Sequence, residues 1–93
     1  MGMKVTFDPT KNQVNFEKHG IFLNAADDFC WGSAFYQEDI RKDYGEKRYY
    51  VLGFLNNRLH AAIFTPRPDG IRMISLRKAN AKEIRCYENH TRL

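Results

Sequence analysis

The stretch from Arg48 to Leu76 restricts the fold most strongly, because apolar runs alternate in it with turn signals. The runs cover residues 48–55, 58–65 and 70–76. Asn56-Asn57 is a two-residue hairpin signal, and residues 66–70 carry the prolines and the glycine of a second turn. Few charges interrupt the runs, so we expect three consecutive antiparallel strands with one well-covered face.

Helix signals lie on either side of this strand region. Asp8-Pro9 supplies a capping side chain followed by a proline at the first helical position. Gly20 is the kind of residue that commonly follows a helix, so we predict a first helix that ends just before it. Near the C-terminus, Asn80 followed by Glu83 resembles a capping box and predicts a final helix.

Shorter elements complete the expected fold. Met3–Phe7 alternates as a strand does, and Ser33–Gln37 is expected to form another strand. Between them, Asn24 is expected to cap a short helix over Ala25–Cys30. The expected order is β-α-α-β-β-β-β-α. The sequence therefore predicts an α+β fold with helices packed on a mainly antiparallel sheet, in a single domain over residues 1–93.

Composition limits the class of partner more than it identifies one. The net charge is +4 and the pI is about 9.2, which favours an acidic partner such as nucleic acid or an acidic protein segment. No apolar run approaches the roughly 20 residues that cross a bilayer, so we expect a cytoplasmic protein with no membrane partner. A formal myristoylation match at Met1-Gly2 is attributed to chance.

The cysteines and histidines give no sign of a metal site. Cys30 and Cys86 are expected to be buried thiols without a disulfide. The histidines do not stand at the close spacing that zinc ligands usually show. We therefore expect neither a metal nor a cofactor.

Three arginines, Arg67, Arg72 and Arg77, follow one another along the second turn and the last strand. A guanidinium is a planar, permanently charged donor that suits phosphate, so this spacing suggests a site for a phosphodiester. However, Arg72 and Arg77 fall on opposite faces of a regular strand. They converge only if one lies beyond the regular strand or if a bulge turns it. Taken singly, each arginine is explained equally well by a structural ion pair.

The order of several motifs resembles the BrnT-type toxin family. The N-terminal residues that carry the resemblance are Phe7-Asp8-Pro9, Lys11, Asn15 and Lys18-His19-Gly20. The central and C-terminal ones are Tyr44-Gly45-Glu46, Arg48, Thr65, Arg67, Arg72, Ile74-Ser75, Arg77-Lys78-Ala79, Glu83 and Tyr87-Glu88. The resemblance implies a RelE-like fold, ribonuclease activity that inhibits translation, and neutralisation by a BrnA-like antitoxin with a ribbon-helix-helix part. Operator DNA would be bound only through the antitoxin complex.

RNA cleavage requires cations for the charge that develops on the phosphate and a base for the 2′-hydroxyl. The candidate cations are Arg67, Arg72 and Arg77, and the candidate bases are Glu46 and His19. The candidates for substrate binding, through charge or base stacking, are Lys18, Lys42, Tyr44, Arg48 and Lys78. His19 is also explained as a basic residue at a helix end, and Glu46 as an ion-pair partner of an arginine.

Two other functions fit the same residues. A non-catalytic basic module would dock an acidic antitoxin segment without turning RNA over. A basic nucleic-acid-binding domain would bind RNA or DNA in a salt-sensitive way, but the chain lacks a helix-turn-helix signature. The leading hypothesis is a toxin endoribonuclease that acts without a metal.

Overall fold

The structure, a computed structural model, describes residues 3–91 of the chain. Its strands are β1 (Lys4–Phe7), β2 (Phe35–Glu38), β3 (Tyr49–Leu55), β4 (Arg58–Arg67) and β5 (Gly70–Lys78). Its helices within these residues are α1 (Pro9–His19), α2 (Ala81–Thr91) and two 3-10 helices, Leu23–Asp28 and Trp31–Ser33. The formal myristoylation match at Met1-Gly2 lies outside the described residues.

Residues 3–91 form a five-stranded sheet in the order β1-β5-β4-β3-β2. Within it, β1 and β5 pair in parallel and the three other pairs are antiparallel, so the prediction of a mainly antiparallel sheet is confirmed. Asn56 and Asn57 adopt positive φ values of 51° and 65° in the tight hairpin between β3 and β4. This arrangement does not establish the RelE-like topology, which stays a prediction.

Both α-helices begin with the predicted caps. The Thr10 N–H donates to Asp8 Oδ1 at 2.9 Å, and Gly20 ends α1 with a φ of 71°. The Glu83 N–H donates to Asn80 Oδ1 at 2.8 Å and the Asn80 N–H donates to Glu83 Oε1 at 2.9 Å, so the capping box is confirmed. No helix of residues 3–91 has the length and apolar character needed to cross a membrane.

The short helix predicted over residues 25–30 is present in part but differs in type and bounds, and a second 3-10 helix, Trp31–Ser33, makes the element order differ from the expected one. The segment forms the 3-10 helix Leu23–Asp28, in which Asn24 lies inside the helix rather than at its cap. Residues three apart share one face of a 3-10 helix, and this repeat places Leu23 and Ala26 together in the core. One turn of the 3-10 helix separates these two side chains, so both point into the core.

The two cysteines are less covered than predicted. Cys30 follows the first 3-10 helix, and its N–H donates to the Phe54 carbonyl at 2.8 Å, but its side chain is exposed. Cys86 lies on α2 and is only half-buried, with Sγ 3.7 Å from His90 Nδ1. The prediction of two buried thiols is wrong, because both residues lie at the margin of the packed faces.

The two faces of the sheet are covered by different elements. One face carries the core, whose buried members are Leu23, Ala26, Phe29, Val51, Leu55, Ala62, Phe64, Ile71, Met73 and Leu76. On the opposite face α2 packs over β2 and β3, where the Tyr87 ring meets Phe54 edge-on at 5.5 Å between centroids. Since α2 contacts chiefly β2 and β3, the part of this face on β5 and β1 remains more accessible.

Helix α1 lies along the edge of β5 beyond the short strand β1. The buried Asn15 amide donates to the carbonyls of Leu76 and Ile21, both at 2.8 Å, and accepts the Leu76 N–H at 3.2 Å. Strand β1 pairs with β5 only as far as Met73. The Asn15 side chain therefore supplies the edge of β5 with the hydrogen bonds that a longer β1 would have made.

A β-bulge interrupts the ladder between β4 and β5. Ile63 stands opposite Ser75, but the next residue, Phe64, stands opposite Met73. Ile74 is thus an extra residue on β5. An extra residue shifts the alternation of all side chains that follow it.

The bulge turns Arg72 and Arg77 to the same face. Arg72 stands opposite Thr65, and Arg77 stands opposite Ala61. Thr65 and Ala61 are four residues apart on β4 and share a face, and directly paired residues share a face as well. Both arginines therefore lie on the face opposite the core, and the opposite orientations expected of a regular strand do not occur.

Candidate functional site

A group of charged side chains lies where the loop before β3 meets the end of β4. We call Tyr44, Glu46, Arg48 and Arg67 the loop cluster. Glu46 Oε2 is 3.5 Å from Arg48 Nε, and Glu46 Oε1 is 3.5 Å from Arg67 Nη2. Both contacts are longer than the roughly 2.7–2.9 Å of a charge-assisted hydrogen bond. The Glu46 and Arg67 side chains are 33% and 37% exposed, so the carboxylate lies between two guanidiniums within reach of solvent.

The Tyr44 ring packs against two cations of this region. The guanidinium carbon of Arg48 lies 4.1 Å from the ring centroid, and Lys42 Nζ lies 5.3 Å from it. Both distances are typical of cation–π contacts. The Tyr44 hydroxyl donates to Asp39 Oδ2 at 3.2 Å, so the ring is held at its hydroxyl as well as at its face.

Local turns and one tertiary bond position the loop. The Gly45 N–H donates to Asp43 Oδ1 at 2.9 Å, and Gly45 has a φ of 73°, which side chains with a Cβ rarely adopt. The Thr65 hydroxyl on β4 donates to the Lys47 carbonyl. The Tyr44-Gly45-Glu46 motif is thus a tight turn tied to the sheet directly after Glu46.

Asp39 anchors the start of the same loop, a contact that the sequence analysis did not foresee. Its two carboxylate oxygens accept from Arg41 Nε and Nη2, each at 2.9 Å, and its N–H donates to the Arg48 carbonyl at 2.8 Å. The Arg41 guanidinium lowers the pKa of the Asp39 carboxyl to about 2. The Asp39 side chain is 2% exposed and that of Arg41 is 71% exposed, so the carboxylate lies just below the surface and its arginine partner lies on the surface.

Arg72 lies on the same sheet face as the loop cluster. It stands opposite Thr65, whose hydroxyl is bonded to the loop, and it is half-buried. Among residues 3–91, neither an ion pair nor a hydrogen bond engages its guanidinium. Arg72 therefore adds a cation that is not neutralised by a described carboxylate.

A second arginine–carboxylate group joins the sheet to α2. We call Tyr50, Arg77 and Glu83 the α2 clamp. Arg77 Nη1 and Nη2 donate to Glu83 Oε1 and Oε2, both at 2.8 Å, and the Tyr50 hydroxyl also donates to Oε2. The Arg77 guanidinium lowers the pKa of Glu83 to about 2, and burial raises the pKa of Tyr50. Glu83 is 11% exposed, so this carboxylate is enclosed and fully bonded.

Two clefts lie on either side of residues 38–40, which form part of the wall of each. The α2 cleft has a volume of about 340 Å³ and is lined in addition by Gln37, Arg41, Tyr50, Arg77 and Glu83. The loop cleft has a volume of about 490 Å³ and is lined in addition by Lys42, Asp43, Tyr44, Glu46 and Lys47. The clamp and the cluster thus each face a cleft, and the two clefts are neighbours.

Comparison with known families identifies the family of the chain. The family model described as a ribonuclease toxin, BrnT, of a type II toxin–antitoxin system matches residues 7–83. The chain belongs to this family. Its membership indicates general ribonuclease toxin activity and implies an antitoxin partner. A search of curated proteins returned no match.

Some of the site residues predicted for this BrnT-family chain lie together in the structure, and others do not. The residues that come together around Glu46 are Lys42, Tyr44, Glu46, Arg48 and Arg67. The expectation that Glu46 pairs with Arg48 or another arginine is confirmed, since it pairs with both Arg48 and Arg67. Arg72 is on the same face, whereas Arg77 is held in the α2 clamp.

Three predicted residues lie apart from the loop cluster. Lys18 and His19 are exposed in the last turn of α1, which Asn15 holds at the edge of β5. Lys78 stands opposite His60 at the end of β5, one position after Arg77 and hence on the other face. Among residues 3–91, none of the three makes an ion pair with the cluster.

Two side chains contribute to these sites without a sequence pattern that predicts their roles. Glu83 was predicted as a helix cap and as part of the family resemblance but not as the partner of Arg77, and Tyr50 carried no distinguishing pattern. The clamp has one local signal in the sequence. Glu83, at the third position of the helix, follows the strand residue Arg77 by six positions. In the described part of the chain, no group of three or more His, Cys, Asp or Glu side chains is placed to hold a metal ion.

Proposed function

We propose that the chain is an endoribonuclease whose active centre is the loop cluster with Arg72 beside it. One observation carries the proposal: the Glu46 carboxylate lies between two guanidiniums at 3.5 Å, exposed to solvent on one sheet face. A phosphodiester that arrives from solvent would meet a base and cations at this partly exposed carboxylate. Family membership supports the reaction class.

The reaction is a transesterification followed by loss of the 5′ oxygen. The RNA 2′ oxygen attacks the adjacent phosphorus, and Glu46 takes the 2′ proton. The bond from phosphorus to the 5′ oxygen breaks, that oxygen takes a proton from solvent, and a 2′,3′-cyclic phosphate remains. Arg67 and Arg72 meet the negative charge that develops on the phosphoryl oxygens, so the reaction proceeds without a metal.

The remaining residues of the cluster bind and orient the substrate. Arg48 contacts the Glu46 oxygen that Arg67 does not contact, and it packs on the Tyr44 ring. The Tyr44 ring is a platform on which a base stacks in place of Lys42, whose Nζ lies farther from the ring than the Arg48 guanidinium does. Lys42 attracts the RNA backbone by charge, and Lys18 and Lys78 extend this attraction over more distant parts of the surface.

Arg77 and His19 are assigned differently from the other candidates. Both oxygens of Glu83 already engage Arg77, so we assign Arg77 to the positioning of α2 rather than to the phosphate. His19 lies in the last turn of α1, where a basic residue favours the helix end, and we assign the base to Glu46 instead. The catalytic roles predicted for Arg77 and His19 stay predictions, and the Arg77→Ala variant described below tests the first of them.

The proposal includes the setting in which the toxin acts. It acts in the cytoplasm as a single RelE-like domain, and its cleavage of RNA inhibits translation and arrests growth. A BrnA-like antitoxin with a ribbon-helix-helix part neutralises it, and the complex binds operator DNA through the antitoxin. Family membership supports the existence of such a partner.

Induced expression in bacteria without an antitoxin tests the function. The wild-type chain should arrest growth and cleave transcripts, and Arg67→Ala and Arg72→Ala should allow growth at equal soluble protein levels. Arg58→Ala is the matched control, because Arg58 is exposed at the hairpin between β3 and β4. Full growth with intact RNA at a high level of soluble wild-type protein would contradict the proposal.

Purified protein separates cleavage from binding. In buffer with a chelator, RNA should yield fragments that end in a 2′,3′-cyclic phosphate, and Glu46→Gln should yield almost none. Glu17→Gln, on the exposed side of α1, should cleave as the wild type does. Tight binding of an antitoxin with no RNA turnover under any condition would favour the non-catalytic binding module.

A further inference from the structure

The α2 cleft is next to the loop cluster but belongs to a different part of the sheet. Residues 38–40 form a common wall between the α2 cleft and the loop cleft. The Asp39 N–H donates to the Arg48 carbonyl at 2.8 Å, so this wall is bonded directly to the loop cluster. An occupant of the α2 cleft would therefore lie beside a phosphate held at the cluster.

Ile40 gives the shared wall an apolar side chain. It is 80% exposed, the most exposed of the large apolar residues of the described chain. The preceding residue, Asp39, is held by the Arg41 guanidinium at 2.9 Å and by the Tyr44 hydroxyl at 3.2 Å. A protruding aliphatic side chain on an anchored segment provides a surface for the flat face of a ring.

Gln37 gives the cleft an uncommitted hydrogen-bonding group. It stands opposite Tyr50 in the ladder, so both side chains lie on the face that α2 covers. The Tyr50 hydroxyl and both Nη atoms of Arg77 are engaged by Glu83, whereas no residue within 3–91 bonds the Gln37 side-chain amide. An amide presents a donor and an acceptor together, the pair that reads the edge of a nucleobase.

We infer that the α2 cleft is a subsite for the nucleobase that flanks the scissile phosphate, with Ile40 against its face and Gln37 at its edge. The cleft of about 340 Å³ has room for one base. The inference rests on the proposed function, since it assigns a substrate preference to the same nuclease. Gln37 and Ile40 are specificity-determining residues in this assignment and take no part in the proton transfer.

Cleavage of a randomised RNA pool by the purified chain tests the assignment. Sequencing of the fragment ends should reveal a base preference beside the cleaved bond that Gln37→Ala reduces roughly tenfold. Ile40→Ala should weaken cleavage at preferred sites and leave disfavoured sites unchanged. Gln13→Ala is the matched control, because Gln13 is an exposed glutamine on α1. Unaltered preferences in Gln37→Ala and Ile40→Ala, with full cleavage, would overturn the inference and leave the proposed function intact.

A binding measurement that does not depend on cleavage separates the two proposals. The four nucleoside 3′-monophosphates are titrated into the protein while the NMR signals of the Gln37 amide and the Ile40 methyl groups are followed. Base-selective shifts of the Ile40 methyl signals that weaken in Gln37→Ala support the subsite, even for a protein that fails to cleave RNA. Such a failure would count against the proposed function alone. No shift at millimolar concentrations of any nucleotide would overturn the subsite.

Discussion

The loop cluster and the α2 clamp are built from the same groups but differ in how tightly those groups are held. Each contains a carboxylate, an arginine and a tyrosine. In the clamp, Arg77 reaches Glu83 through two bonds of 2.8 Å and Glu83 is 11% exposed. In the cluster, Glu46 is 3.5 Å from each of two arginines and is 33% exposed. The carboxylate of the clamp is therefore fully bonded by its arginine, whereas the carboxylate of the cluster remains accessible to a further partner.

The difference follows from the elements that carry the two carboxylates. Glu83 is the third residue of α2, and its carboxylate also accepts the Asn80 N–H, so its position is fixed before Arg77 contributes. Glu46 lies in the loop after the Gly45 turn, where backbone contacts fix the loop but leave its side chain to electrostatic attraction. We therefore expect the clamp to govern stability and the cluster to govern activity.

The largest expected effect is a loss of activity at the loop cluster. Arg67→Ala should lower kcat/KM for RNA roughly 100-fold or more, the loss typical of removing one group that binds transition-state charge. The free energy of unfolding should change by less than about 0.5 kcal/mol, because Arg67 is 37% exposed. Single-turnover cleavage and thermal unfolding measure the two quantities. An equal loss of activity in Arg58→Ala would show that the effect is one of total charge rather than of the site.

The next effect is a loss of stability at the α2 clamp. Arg77→Ala should lower the free energy of unfolding by about 1–2 kcal/mol, less than for a fully buried pair because Arg77 is 35% exposed. This loss corresponds to a fall in Tm of roughly 4–8 °C per kcal/mol for a domain of this size. The folded variant should retain activity within a few-fold. Circular dichroism melting checks the first expectation, with Arg85→Ala on the exposed side of α2 as control. An unchanged Tm with lost cleavage would return Arg77 to the active centre.

A smaller effect is the acid sensitivity of the clamp. Folding lowers the pKa of Glu83 from its ordinary 4.5 to about 2. A carboxyl of this kind contributes its stability above the ordinary pKa and loses it as the pH falls towards the folded pKa. Stability should therefore decrease between about pH 4.5 and pH 2, and Glu83→Gln should show a shallower decrease. Part of the pH dependence of stability should remain in Glu83→Gln, because the pKa of Asp39 is also lowered to about 2. Urea unfolding across this pH range measures how the free energy of unfolding falls with pH, with Glu17→Gln as the control. An equally steep fall in Glu83→Gln and Glu17→Gln would contradict the expectation.

The smallest expected effect concerns charge attraction at the rim of the loop cluster. Lys42→Ala should lower kcat/KM by a few-fold at low salt and by almost nothing at high salt, because exposed charges are screened. The Nζ of Lys42 is 5.3 Å from the Tyr44 ring and makes no ion pair within the described residues. The salt dependence of cleavage by Lys42→Ala and by the control Lys82→Ala measures the effect. A large loss that persists at high salt would place Lys42 in the reaction itself.

Features with local causes could be predicted from the sequence. The hairpin at Asn56-Asn57, the cap at Asp8 and the capping box at Asn80 all depend on residues within a few positions of one another. The type and bounds of the helix expected over residues 25–30 could not be predicted from such local signals. Its capping and periodicity signals are short, and a pair of buried residues three apart, Leu23 and Ala26, fits an α-helix and a 3-10 helix equally well.

The sequence by itself determined the apolar runs of the sheet, the helix caps and the presence of arginines beside acidic residues. Only the tertiary structure decided which arginine meets which carboxylate. The extra residue Ile74 turns Arg72 and Arg77 to one face, and the packing of α2 then brings Glu83 to Arg77 while the loop brings Glu46 to Arg67. Strand alternation is a local rule, but a bulge is set by the partner strand, so the orientation of these side chains depends on contacts that sequence spacing does not contain.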